Sequence, residues 1–406
     1  MNAEWQAGEN HRAVKQAGVA RALIAGLCAS LIGVGFARFS YTPLVPALIA
    51  QHWFSEAAVV YLSAANLAGY LVGAISGRML AARSSDTFVL RAMQLVIAAA
   101  FIACAFPLSV PWFFVWRFLS GVAGGAIIVL VAATLLPSVP REREGAASGA
   151  IFLGVGAGIA ASGTLVPALL AHAGLRETWI VLGVLSLVLT LANWTAWPAG
   201  KKPDQARTES QETRAANSPK QTSILLDAVY ALMAVGLVSP MLFLVDYVTR
   251  GLNLGTYDAA VIWIVYGIGS MCGPPAYGWL TDRLGATPAI RVALALQAVA
   301  LLGLTFLHGT IALGILAFVI GSFPPGIVPL VLGWLREIYP NDAARQNAKW
   351  SRATVAFAAA QAAAAYAYSA LFVASARDYR LLFGIACVAI VTAITLEVLV
   401  PKLRAA

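Results

Sequence analysis

The stretch GKKPDQARTESQETRAANSPKQT, from Gly200 to Thr222, decides how the rest of this chain is read. It has no aromatic residue and no periodic apolar face, so it has little to bury and reads as a flexible, solvated linker. Working outward, apolar runs fall at 22–49, 58–78, 87–107, 111–136, 146–171 and 178–198 before it. After it come 223–249, 258–280, 287–307, 310–335, 352–375 and 380–401. Each is close to the ~20 apolar residues needed to cross hydrocarbon about 30 Å thick. The runs are continuous rather than alternating, which makes them helices and not barrel strands. The expected fold is therefore all-α and integral to a membrane. It has twelve transmembrane helices in two six-helix bundles, residues 1–199 and 223–406, joined by a linker over 200–222.

Composition agrees. Of 406 residues, 60% are hydrophobic and only 11% charged, where a soluble chain carries about a quarter; the mean hydropathy is +0.79. A water-soluble globular protein is excluded. Cys28, Cys104, Cys272 and Cys387 lie far apart in apolar runs without C-x-x-C spacing, and no histidine pair has ligand spacing, so no metal site and no cofactor are expected. The first apolar run exceeds a signal h-region and lacks a cleavage site, and is read as a retained span.

The net charge of +9 follows topology rather than a nucleic-acid surface. With the N-terminus cytoplasmic, inside segments hold 21 Lys and Arg residues; outside segments hold Arg176, Arg250, Arg377 and Arg380. That asymmetry is the positive-inside signal, and it predicts cytoplasmic N- and C-termini in a bacterial inner membrane. Two arginines, Arg38 and Arg117, remain inside apolar runs.

The halves resemble one another. EAAVVYL from Glu56 lies over DAAVIWI from Asp258, and GVAGGAIIVL from Gly121 over GSFPPGIVPL from Gly321. Parallel six-span repeats imply two bundles around an axis along the membrane normal, with a site near the midplane between them.

Motifs sharpen this reading. GWLTDRLG, from Gly278 to Gly285, matches the G-x-x-x-D-R-x-G loop signature, and Arg117–Gly125 (RFLSGVAGG) resembles the R-x-x-q-G-x-g motif with Ser120 in place of glutamine. The chain thus resembles the major facilitator superfamily of transporters. GVGFARFSYTPLVPAL (Gly33–Leu48) and AANLAGYLVGA (Ala64–Ala74) are similar to its YbfB/YjiJ-type subgroup. The resemblance implies a gating loop at Gly278, Asp282, Arg283 and Gly285, and a cavity lined by spans one, four, seven and ten. Two departures stand out. The first-half loop has Gly77 and Arg78 but no matching aspartate, and span five lacks the Gly-Pro pair of drug–proton antiporters.

Candidate site residues are the polar groups that the bilayer makes expensive. Arg38 sits near mid-bilayer, where an arginine costs about 2.5–3.5 kcal/mol on insertion scales. It either serves substrate or gating, or is a structural arginine bonding carbonyls of a broken helix. Arg117 and Asp246 lie at similar depths from the outer face and admit two readings. They form a buried pair that protonation breaks, or Asp246 is solvated in the headgroup zone and pairs with Arg250. Asn66, Tyr41 and Gln361 complete the substrate and coupling set. Gly69, Gly73 and Gly77 form a small-x-x-x-small packing ladder, and Pro43 and Pro46 are expected to bend span one.

These features predict a secondary active transporter of a small organic solute, an anion or zwitterion, coupled to protons and working by alternating access. Two buried arginines against one buried aspartate favour a negative ligand. Its expected partners are that solute, protons and membrane lipid, with the protein a monomer and no nucleic acid bound. Drug or metabolite efflux is the alternative within the class, and a membrane sensor on a transporter scaffold the alternative outside it. No paired carboxylates, His–metal cluster or Ser/Lys dyad supports an intramembrane enzyme.

Overall fold

Serines open three of the early spans. The hydroxyls of Ser55, Ser85 and Ser109 accept from the backbone N–H groups of Ala58, Phe88 and Trp112 at 3.2–3.3 Å, satisfying donors that a helix start leaves free. The structure, a computed structural model, describes residues 18–139, 144–198, 220–340 and 342–404. Among these it holds twelve helices long and apolar enough to cross a membrane, and no strand. They are α1 (Gly18–Ala50), α2 (Glu56–Arg83), α3 (Asp86–Cys104), α4 (Val110–Leu135), α5 (Ala147–His172) and α6 (Leu175–Ala192). The second set is α7 (Leu225–Gly251), α8 (Gly255–Leu284), α9 (Ala286–Phe306), α10 (Thr310–Ile338), α11 (Ala348–Ala374) and α12 (Tyr379–Val398). Residues 200–219 of the expected linker, with residue 199 before it, lie outside the described residues. The helix that contains α7 extends back to Lys220.

The glycine ladder packs as its spacing implies, and it does so twice. Gly69 and Gly73 of α2 press against the backbones of Phe118 and Val122 in α4, while Gly121 presses against Asn66. In the second half Gly269 and Gly273 of α8 meet Phe318 and Ser322 of α10, and Gly321 meets Tyr266. Each contact recurs at a shift of 200 residues, so the internal repeat is a repeat of packing geometry as well as of sequence. A Cβ on Gly73 would collide with the carbonyl of Val122. Gly73→Ala is therefore expected to cost about 1–3 kcal/mol, read as a lower unfolding midpoint in detergent.

One hydrophobic cluster draws only on the first half, from Ala22 to Trp197, around the fully buried Trp179 and Phe113. The other is built on α7–α12 and takes in Val34, Phe39, Val60 and Leu67 from the first half. The halves meet where α2 packs on α11, α5 on α8, and α1 on α7. Thr42 Oγ1 donates to the Met241 carbonyl at 2.8 Å and Trp263 Nε1 to Ser162 Oγ at 3.1 Å.

Span α1 is distorted, upstream of its prolines. Leu31–Phe36 is π-helical, followed by a three-residue turn of α-helix and a break at Ser40. π-Bulges of this kind mark functional positions in many helices. Arg38 sits in the short segment between the π-helix and the break.

Candidate substrate and coupling site

The distorted part of α1 puts two arginines into different settings. Arg117, 3% exposed, donates Nη1 to the Ala37 carbonyl at 2.8 Å and lies over the Tyr41 ring at 4.3 Å. Asn66, 2% exposed, donates to the Ala37 and Arg117 carbonyls at 3.3 Å and to Ser120 Oγ at 2.9 Å. Tyr41 donates to the Val59 carbonyl at 2.9 Å. Arg117, Asn66 and Tyr41 thus knit α1, α2 and α4 together inside the first half. The structural alternative raised for Arg38, an arginine serving carbonyls of a broken helix, describes Arg117 instead. Asn66→Ala is expected to lower the unfolding midpoint by removing these bonds, at about 1–2 kcal/mol.

Arg38 differs. It is half-buried, lies over the Tyr70 ring at 5.1 Å, and donates Nη2 to Gln361 Oε1 of α11 at 2.8 Å. This bond bridges the halves. At ~1.5 Å per residue, Arg38 and Gln361 lie about 18–20 Å from the ends of α1 and α11 at Ala50 and Ala374, deep in a layer about 30 Å thick. Among the described residues no carboxylate pairs with Arg38 or Arg117.

The expected Arg117–Asp246 pair is not formed. Asp246 is held within its own half: Arg250 Nε and Nη2 donate to its two oxygens at 2.5 and 2.6 Å, and the Tyr379 hydroxyl donates at 2.6 Å. One turn of helix separates Asp246 from Arg250, so the nearer guanidinium wins. The second reading is right about its partner, Arg250, but its solvated setting needs correction, because Asp246 is 0% exposed. Arg250 reaches further, to Glu56 at the start of α2 at 2.9 Å, and Arg377 pairs with the other oxygen of Glu56 at 3.0 Å. Asp246, Arg250, Glu56 and Arg377 form a charge-balanced chain joining the halves at the end of the molecule away from the termini. Sequence reasoning missed Glu56 and Arg377, which look like ordinary interfacial charges.

At the opposite end the seam between α5 and α8 loosens among the described residues. A Cβ on Gly156 would stand 2.7 Å from the Met271 backbone, and one on Gly267 or Gly163 would crowd Ala160 or Ile264. Two turns nearer the termini end of the same α5–α8 seam, Gly149 and Gly278 have nothing within 4 Å of a built Cβ among the described residues. Asp282 of the expected gating loop is exposed and has no ion pair or hydrogen bond among the described residues, and Arg283 lies over the Trp279 ring at 5.3 Å. Gly285 takes φ +84°, a left-handed conformation that favours glycine, and ends α8. Beside it Glu337 accepts from the Ala286 N–H at 2.6 Å and the Thr287 hydroxyl at 3.0 Å, supporting the start of α9.

Two other carboxylates have structural settings. Asp227 pairs with Arg352 at 2.6 Å, and Glu397, 1% exposed, with Arg291 at 2.5 Å. Both pairs lie within the second half, tying α7 to α11 and α9 to α12.

Comparison with known proteins accords with this geometry. The family described as "Uncharacterised MFS-type transporter YbfB" matches residues 30–398. The multidrug resistance protein MdtG of Yersinia enterocolitica is 26% identical over 228 residues, 53% of this chain and 55% of that protein. MdtG of Salmonella typhi is 25% identical over 259 residues, 62% of this chain and 63% of that one. The matched stretch thus spans little more than half the length of these curated relatives. Among solved structures, a D-xylose–proton symporter superposes with a TM-score of 0.72 at 18% identity, covering 93% of this chain and 96% of that one. The E. coli xylose transporter XylE, in a partially occluded inward-open conformation, also gives 0.72, at 16% identity over 93% and 97%. At such identities the likeness is one of fold.

Proposed function

Because the chain belongs to the YbfB-type family of major facilitator transporters, we propose that it is a secondary active carrier of a small organic anion or zwitterion, driven by the proton gradient. It is a multi-pass protein of the inner membrane, and a transporter rather than an enzyme. The observation that carries the finer reading is the asymmetry between its ends. The ion chain Asp246–Arg250–Glu56–Arg377 closes one end, while Gly149 and Gly278 stand apart at the other. With the termini cytoplasmic, as the distribution of Lys and Arg favours, this is an inward-facing state sealed on the outside. Arg38 and Gln361 lie between the two ends, at the level where such carriers hold their cargo.

Coupling follows from the chemistry of the closed end. Ionised Asp246 orients Arg250 toward Glu56. A neutral carboxyl holds the guanidinium more weakly, because the attraction between opposite charges is lost. Proton binding at Asp246 loosens the seal, and release restores it. The names of the MdtG relatives raise multidrug efflux, but the unpaired charge of Arg38 opposes lipophilic cations.

Proton flux into proteoliposomes loaded with a pH-sensitive dye tests this reading. Addition of organic anions, zwitterions and lipophilic cations in turn is expected to produce flux with a member of the first two classes only. Flux with the cations alone, or with none of the three, refutes it. A second test uses the loosened seam. Gly149→Leu should leave the unfolding midpoint unchanged yet slow turnover by about tenfold or more, equivalent to ~1.4 kcal/mol on the barrier, since its side chain obstructs closure. Unchanged turnover would show that this seam does not close.

A further inference from the structure

The internal repeat makes Tyr266 the counterpart of Asn66, since Gly321 packs on Tyr266 as Gly121 packs on Asn66. The two positions are not used alike. Asn66 spends its amide on three acceptors, one of them Ser120, whose counterpart at the same shift is the apolar Ile320. Tyr266 is 0% exposed, and its hydroxyl has no hydrogen-bond partner among the described residues. A buried hydroxyl without a partner is costly, and in a transporter it identifies a place where something else binds.

Around it lies a second unsatisfied donor. Arg38 Nε is buried without a partner, and the guanidinium's hydrogen bond is to the neutral amide of Gln361. Arg38 and Tyr266 flank one ring: the guanidinium carbon lies 5.7 Å from the Phe39 centroid, and the Tyr266 ring 6.3 Å from it. The buried neighbours of Tyr266 are aromatic. Phe39 stands 6.2 Å from Trp263 and 6.3 Å from Tyr266, Trp263 stacks on Tyr266 at 4.8 Å, and Tyr70 faces the guanidinium.

We propose that Arg38, Gln361 and Tyr266 form the recognition site for a monocarboxylate carried on a flat aromatic body. This rests on the transporter reading above and adds the class of cargo. One carboxylate oxygen accepts from the Arg38 fork and the other from the Tyr266 hydroxyl. It displaces the Gln361 carbonyl, a weaker acceptor for a guanidinium than a charged oxygen. Arg38 supplies one positive charge for one negative charge; Arg117, which also lacks a carboxylate, is held inside the first half by the Ala37 carbonyl and the Tyr41 ring. A dianion would bring an uncompensated charge into the bilayer, at a cost. The ring of the cargo stacks against Trp263, Phe39 and Tyr70, as aromatic groups do at centroid separations of 4.5–7 Å. A sugar would need several amide or carboxyl partners, and the nearby amide of Asn66 is already spent. Since Arg38 and Gln361 belong to different halves, cargo that replaces their bond also frees the halves to move.

Titration of the purified full-length protein with benzoate and 4-hydroxybenzoate tests the assignment, with benzamide and benzylamine as neutral and cationic counterparts of the same shape. Tryptophan fluorescence is the readout. Benzoate or 4-hydroxybenzoate is expected to bind at least about tenfold more tightly than benzamide, with benzylamine silent, as a charge-assisted pair requires. Arg38→Lys keeps the charge but loses the two-pronged donor, and should weaken binding about tenfold. Tyr266→Phe, which keeps the stacking ring, should weaken it by a few-fold. Equal binding of the three head groups, unchanged affinity in both variants, or no binding of either carboxylate would overturn the proposal. If the carboxylates fail while a zwitterion drives proton flux in liposomes, the transporter reading stands and this cargo class falls.

Discussion

Arg38→Ala is expected to abolish solute uptake while leaving the protein at least as stable as before. The two halves of that result have separate causes. A guanidinium bond to a charged ligand contributes about 1.5–3 kcal/mol, a factor of roughly 10–150 in affinity. Loss of the inter-half bond to Gln361 adds a defect in positioning. Stability moves the other way, because an arginine deep in the membrane carries an insertion cost of about 2.5–3.5 kcal/mol that no carboxylate offsets here. Uptake and the thermal unfolding midpoint, measured on the same preparation, decide the matter. Normal uptake removes Arg38 from the site. A lower midpoint with proportionate loss of uptake makes it a structural arginine like Arg117, whose bond to the Ala37 carbonyl holds α1 to α4.

Asp246→Asn is expected to retain exchange of labelled solute across the bilayer while losing accumulation driven by a pH gradient. Asparagine preserves the shape and one oxygen that accepts from Arg250 Nη2 and Tyr379, loses the acceptor for Arg250 Nε, and cannot gain or lose a proton. The seal at Glu56 weakens, so the outward-open state becomes more populated. The loaded carrier still shuttles, now without a proton-dependent step. Counterflow and pH-driven uptake, run side by side in proteoliposomes, separate the two behaviours. Unchanged pH dependence places coupling elsewhere. Loss of both activities makes Asp246 part of the scaffold.

Which polar residues must be sheltered was legible in the sequence, because the bilayer penalises buried charge; Tyr266 was not among those singled out. Arg38, Arg117 and Asp246 stood out for that reason alone, as did Gln361 and Asn66 among apolar neighbours. Their partners were another matter. Depth along a helix can be counted from its end, whereas the face a side chain presents depends on the local winding. The π-helical stretch Leu31–Phe36 alters that winding beside Arg38. Depth made an Arg117–Asp246 pair conceivable; azimuth and the nearer Arg250 ruled it out. Glu56 and Arg377 gave no warning of their role, since a charge at a helix end is ordinary until the opposite half is placed beside it.

By itself the sequence determined the solvent, the number of crossings and the duplication, because hydrocarbon thickness and backbone hydrogen bonding leave few solutions for long apolar runs. It also marked which polar side chains must be sheltered. The tertiary structure alone decided which of them are spent and which remain available. Hydrogen-bond satisfaction depends on distances of about 3 Å between residues hundreds of positions apart, and those distances are set by how the helices of the two halves pack.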